Sequence, residues 1–175
     1  MNETEAELAA LQQLLDRSAA EARSPMLRNI FRIPKHSLSA RQLVKLLHGV
    51  RHVALATSGR SGAPRVAPVD GLFFHGKFWI STDRSTARAK DLLRRKELSL
   101  TYFEGEDLAI IVHGNAVIFE PGDPEFARID HDAKPLAGMG AVEASAAFGG
   151  SGALWIRVEP RAMFTFARYP EKFAS

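Results

Sequence analysis

The run from Ser81 to Lys90 gathers groups that could hold an anion. Ser81, Thr82, Ser85 and Thr86 bring hydroxyls, and Arg84, Arg88 and Lys90 bring cations. Before it, Phe78, Trp79 and Ile80 read as a short strand; after it, Ala89, Leu92 and Leu93 recur at helical spacing. A chain that leaves a strand through hydroxyls and starts a basic helix presents free amides, partial positive charge and Arg forks together. That combination suits a phosphate. The same residues support a plainer account, in which Asp83 or Ser85 caps the helix and the cations form a solvated face. Local chemistry alone favours the plainer account.

Other titratable residues do not form a catalytic set. His131 lies between Asp130 and Asp132, but three consecutive residues do not converge on one point, so no metal is expected there. His52 and His113 fall inside apolar strands and read as structural. No acid, base or nucleophile is assigned, and the catalytic residues are left unknown.

The elements that must position the run follow from periodicity. From Ala63 to Phe74, Val66, Pro68, Leu72 and Phe74 fall on one side, and Arg65, Ala67, Val69 and Phe73 on the other. His75-Gly76 turns the chain. Toward the N-terminus, residues 3–22 predict a helix with a Thr4/Glu7 capping box and a Leu8, Leu11, Leu15 stripe. Ser24-Pro25 breaks it, and a connector runs to His36. Ser39, with Gln42 three residues on, opens a second helix, and 50–57 is a strand ending in the turn-rich 58–64 loop.

Beyond the basic run, 98–103 alternates as a strand. Residues 108–119 are apolar on both faces, with Gly114 marking a bulge or close backbone approach. Asp123 and Pro124 predict a short helix carrying Phe126 and Ile129. The Ala/Gly-rich 133–151 receives no assignment. Residues 153–158 and 162–167 read as two strands kinked at Glu159-Pro160. Short strands with Gly/Pro turns and few helices predict a mainly β (β+α) fold, a small barrel with peripheral helices. Residues 1–38 are taken as a helical arm and 39–175 as the barrel domain.

With 175 residues and no cysteine, the chain fits one domain with neither a disulfide framework nor a thiolate metal site. A net charge of +3 is too small to argue for nucleic acid. No apolar run reaches the ~20 residues of a membrane helix, and the acidic N-terminus lacks the order of a signal peptide, so neither membrane nor export is expected and the location is read as cytoplasmic.

The ordered series is more specific than any of its parts: a G-x-P-R-V-A-P-V strand, an F-W-I-S-T strand, the basic hydroxyl-rich turn, a helix, then E-L-S-L-T-Y-F and a long apolar strand with an internal Gly. It resembles the pyridoxamine-phosphate-oxidase-like split barrels, the FMN- and F420-binding family, over roughly residues 43–168. The resemblance implies a homodimer with a flavin-type cofactor between subunits. It assigns the phosphate to Ser81, Thr82, Arg84, Ser85, Thr86, Arg88 and Lys90, with Arg88 in place of the family's usual Lys. It lays the ring along Arg65, Val66, Ala67, Pro68 and Val69, mainly against backbone. FMN is the cofactor implied first, with F420 as the alternative and haem less favoured; His52, His75 and His113 are conceivable haem ligands.

Hydride transfer to or from a small organic substrate is the activity implied, and a non-catalytic protein that sequesters or senses flavin, F420 or haem is the alternative. Two departures count against vitamin B6 oxidation. Nothing after Pro160 matches those enzymes' Arg/His substrate clamp, and Ala109 stands where they place a polar ring contact.

Overall fold

The computed structural model describes residues 3–22, 24–30, 32–147 and 152–173. Three helices come first: α1 (Glu5–Glu21), α2 (Pro25–Ile30) and α3 (Ala40–Leu46). Then follow β1 (Val50–Ser58), β2 (Pro64–Phe74), β3 (Lys77–Asp83), α4 (Ala87–Arg94), β4 (Glu97–Glu104), β5 (Leu108–Phe119), α5 (Phe126–Ala147) and β6 (Ala153–Ala167). The strands close an antiparallel barrel in the order β1-β2-β3-β6-β5-β4. The fold is the split barrel expected from the sequence.

Alternation along each strand sorts side chains into an interior and an exterior. Val53, Leu55, Val69, Phe78, Ile80, Leu100, Ile110, Val112, Ile156 and Met163 fill the barrel. Leu43 and Leu47 of the α3 region, and Leu8, Leu11, Leu14 and Leu15 of α1, join the same core. Both predicted capping boxes form: Thr4 and Glu7 satisfy each other's backbone amides at α1, and Ser39 and Gln42 do so at α3. Ser18 fixes α1 to the barrel, because its buried hydroxyl donates to Leu14 O and accepts from the Met163 amide at 2.9 Å.

A second apolar layer lies outside the barrel. Ile129, Ala133 and Leu136 of α5 bury Leu72, Phe74, Trp79, Phe119 and Trp155 against the sheet. Trp79 stacks on Phe74 with ring centroids 4.9 Å apart and donates its indole N–H to Phe74 O at 3.0 Å.

Several expectations need correction. Pro25 does not merely break the first helix; it occupies the first position of α2, where its missing N–H costs nothing. The short helix after Pro124 continues to Ala147 and takes in much of the unassigned 133–151, of which 148–151 lie outside the described residues. The Asp123 carboxylate caps backward, accepting from the Glu120 amide at 2.6 Å. The two terminal strands are one continuous β6. It passes Pro160 because Pro160 faces Gly114, where the β5 register slips. Leu93 is only partly buried, and Asp91 takes the buried position on α4 instead.

The barrel is not evenly paired. β2 pairs with β1 from Pro64 to Leu72, but its ladder to β3 begins only at Leu72 and ends at Phe74. From Pro64 to Gly71, no described strand borders the second edge of β2. From Trp79 to Asp83, β3 pairs with β6. The barrel is split between β2 and β3, and the chain from Asp83 into α4 begins at that split.

One charge arrangement makes α1 docking sensitive to acid. Burial works to raise the Glu7 carboxyl, but hydrogen bonds from the Thr4 amide and hydroxyl, with the charge and ring N–H of His75, hold it below its ordinary 4.5. A depressed carboxyl stabilises the fold above its unfolded value, and the contribution disappears as pH falls through the folded value. Unfolding free energies measured by urea across pH 3–6 are expected to fall less steeply toward acid, below about 4.5, in Glu7→Gln than in wild type.

Candidate functional site

The bend after β3 is built by its own hydroxyls. The Asp83 carboxylate accepts from the Ser85 amide at 2.7 Å, and bonds from Ser85 hold it below its ordinary range. The Arg84 amide donates to Gly152 O at 2.7 Å, anchoring the bend to the start of β6. Thr86 is the N-cap of α4 and accepts from the Ala89 amide at 3.2 Å. Its hydroxyl hydrogen goes to Asp83 O at 2.8 Å. The 3.1 Å contact between Thr82 and Thr86 therefore has Thr82 as donor. Thr82, 3% exposed, in turn accepts from Arg88 Nε at 2.9 Å.

The cations differ in what already holds them. Arg84 pairs with Glu120, and Asp83 lies close enough to Lys90 to feel its charge. Arg65 reaches from β2 to the buried Asp91 carboxylate at 3.6 Å, which also takes Arg94 at 2.6 Å and the Thr57 hydroxyl at 3.1 Å. Of Arg65, Arg84, Arg88 and Lys90, neither Lys90 nor Arg88 has a carboxylate within ion-pair distance among the described residues, and of these two Lys90 is exposed and only Arg88 is half-buried. Its Nε is committed to Thr82, which aims the half-buried guanidinium and leaves its two terminal nitrogens for another partner.

The structure therefore brings some, but not most, of the expected residues together. Thr82, Thr86 and Arg88 form one hydrogen-bonded unit, with Ser85 and Asp83 beside it. Arg65 instead reaches α4 at Asp91, a residue the sequence reading passed over. The available signal was an acid on α4 with arginines three residues to either side, at 88 and 94. Arg84 is drawn away toward Glu120, and Ser81 pairs with Trp155 on the β6 side. On β2, Val69 points into the barrel core, Ala67 is half-buried, and Val66 and Pro68 are exposed. The hydroxyls of Thr82 and Thr86 already donate within the bend, so they orient Arg88 rather than offer free hydrogens.

These features fit a phosphorylated cofactor with a planar polar ring. The bend supplies a pre-aimed guanidinium, and the unbordered edge of β2 supplies backbone N–H and C=O groups beside it. The Asp83 carboxylate works against an anion, which leaves Arg88 as the dominant attraction. The three histidines considered as haem ligands all have partners: His52 contacts Asp70 at 2.7 Å, His75 contacts Glu7 at 3.0 Å, and His113 contacts the Ser99 hydroxyl at 2.7 Å.

Solved structures with this architecture are numerous. The conserved hypothetical protein Rv2991 of Mycobacterium tuberculosis superposes with a TM-score of 0.60 at 17% identity, over 79% of this chain and 91% of that one. HutZ, the haem storage protein of Vibrio cholerae, gives 0.56 at 13% identity, over 71% and 91%. General Stress Protein 26 of Bacillus anthracis gives 0.52 at 16% identity, over 71% and 91%. At such identities the likeness is one of fold alone. No curated protein matches the chain. Among the described residues, no helix is long and apolar enough to cross a membrane. The sequence profile described as pyridoxamine 5'-phosphate oxidase matches residues 39–162, well over half the chain and spanning β1 to most of β6, so this protein belongs to the pyridoxamine 5'-phosphate oxidase family.

Proposed function

We propose that this protein is a flavin- or deazaflavin-dependent oxidoreductase acting on a small organic substrate. The carrying observation is the split barrel: no described strand borders the second edge of β2 from Pro64 to Gly71, and the bend that begins at the split holds Arg88 with no carboxylate among the contacts of the described residues. Family membership supports the same reading. FMN, or F420 in its place, supplies the hydride chemistry itself when bound. The chain's part is to hold and orient. Arg88 would grip the phosphate, with Thr82 and Thr86 fixing its direction and the α4 amides adding partial positive charge. The β2 backbone from Arg65 to Val69 would meet the polar rim of the ring.

The reading includes a homodimer. The ladders string Pro68, Ala54, Thr101, Ile111 and Phe164 across the exterior of five strands. Val66 and Phe103 on this face are 68% and 62% exposed. A second copy laid over it would dry the face and wall the split, excluding water from the cofactor.

Titration of purified protein with FMN and with F420, followed by reduction with NAD(P)H or turnover of reduced F420, tests the proposal. Binding with turnover supports an oxidoreductase, binding without turnover supports a sequestering or sensing protein, and binding of neither cofactor overturns the oxidoreductase and the flavin- or F420-sequestering reading alike. A Val66→Asp/Phe103→Asp variant is expected to elute as a monomer with weakened cofactor binding by light scattering and titration. An unchanged dimer would remove this face as the interface.

A further inference from the structure

At the opposite end of β3 from the Thr82 bend, α1, α5 and the β2–β3 turn line an open-mouthed cavity of about 580 Å³. That volume lies in the range of small-molecule sites, roughly 300–1,000 Å³. Its floor is apolar, made by Leu11 and Leu14 of α1 with Trp79 and Pro160. Its wall is fixed by His75, whose Nδ1 lies 3.0 Å from Glu7 of α1 and whose Nε2 lies 3.6 Å from Asp132 of α5. His75 holds a left-handed backbone (φ 54°), which costs energy for a residue with a Cβ and persists where its surroundings hold it. The wall is thus built from three elements tied by one ring.

The charges lining this cavity do not cancel. Four cations, Arg17, Lys77, Arg128 and Arg157, face three carboxylates, Glu7, Asp132 and Glu159. Glu7 and Asp132 are engaged by His75. Glu159 must serve two half-buried cations with one oxygen, at 2.8 Å from Lys77 and 2.6 Å from Arg157. Arg157 is held in place over the Trp79 and Phe119 rings. Arg17 and Arg128 lie on the exposed rim, with no carboxylate among the contacts of the described residues.

We infer that this cavity is a second ligand site, separate from the cofactor split, for a small organic anion: an aromatic or aliphatic body on the leucine–tryptophan floor and a carboxylate or sulfonate facing the arginines. Arginine forks suit such groups, and a pre-formed apolar floor rewards the body without reordering the protein.

Anilinonaphthalene sulfonate is the probe, titrated into the full chain by calorimetry, with phenylnaphthylamine as its uncharged counterpart. One probe per chain is expected, bound about tenfold tighter than the uncharged compound. Arg17→Glu/Arg128→Glu changes only exposed side chains and is expected to weaken the probe about tenfold or more. Ala10→Trp, placed on an exposed lining position of α1, obstructs the cavity beside the leucine floor and is expected to abolish binding while circular dichroism stays unchanged. The measurement is repeated with protein saturated in FMN and with Arg88→Ala. Retained binding in both separates this site from the cofactor reading, and holds even if FMN itself does not bind. Equal affinity for the uncharged compound, no loss in the double variant, survival in Ala10→Trp, or displacement by FMN would each overturn the inference.

Discussion

Replacing Arg88 with Ala is expected to raise the Kd for FMN about ten- to 150-fold, the loss of one charge-assisted phosphate contact worth about 1.5–3 kcal/mol. The protein's own stability should change little. The Arg88 side chain makes one hydrogen bond, to Thr82, and no carboxylate among the described residues is left buried without it. Removing Arg65 would be less informative, because that side chain also serves the buried Asp91. Arg84 would be less informative for the opposite reason, since Glu120 already neutralises it. Arg88→Lys keeps the charge but loses the Nε bond that aims it, so an intermediate Kd is expected. Thr82→Val should approach the Arg88→Lys value, because it removes the aim and keeps the guanidinium. An Arg88→Ala protein that binds FMN as tightly as wild type would place the phosphate elsewhere, whatever remained of the barrel.

How far this site could be seen beforehand differs by level. The strands were legible because alternation in β1 and β2 follows from one face being buried: Val53 and Leu55 point inward while Ala54 and Ala56 do not. The two capping boxes were legible because their chemistry is local and complete within four residues. The hydroxyls of the bend were visible as a group, but their division of labour was not. Which of Thr82 and Thr86 donates depends on Asp83 O, Ala89 N and Arg88 Nε converging in space. Asp91 escaped notice because an acid between arginines on a short helix looks solvated until Thr57 arrives from another strand.

Helix α5 was hidden by composition. Ile129, Ala133 and Leu136 have the right i, i+4, i+7 spacing, but Pro135 and the following glycines argue locally against a helix. Burial of Leu72, Phe74 and Trp79 under those three residues is the tertiary term that overrides propensity. Trp155 is buried, but in this outer layer rather than inside the barrel. From one sequence, inward and outward burial look alike.

Gly114→Ala is expected to be the most damaging single-methyl substitution in the barrel, costing about 3 kcal/mol or more and lowering Tm by roughly 6–12 °C. In a regular strand the same change would stabilise by about 0.4–1 kcal/mol through the unfolded chain, so even the sign is diagnostic. A Cβ at position 114 would lie 2.1 Å from Glu159 O, 2.9 Å from its carbonyl carbon and 3.0 Å from Pro160 Cα. All three are backbone atoms, so no rotamer change relieves the contact, and β6 itself must move. The close approach exists because the β5–β6 register slips between His113 and Gly114, letting a strand containing Pro160 continue unbroken. Moving β6 there also displaces Glu159 and Arg157, two of the groups lining the α1–α5 cavity. Thermal melts and urea titrations measure the effect, and the anionic probe reports whether it reaches the cavity. A variant within 1 kcal/mol of wild type would mean that β5 and β6 do not meet as closely as this bulge requires.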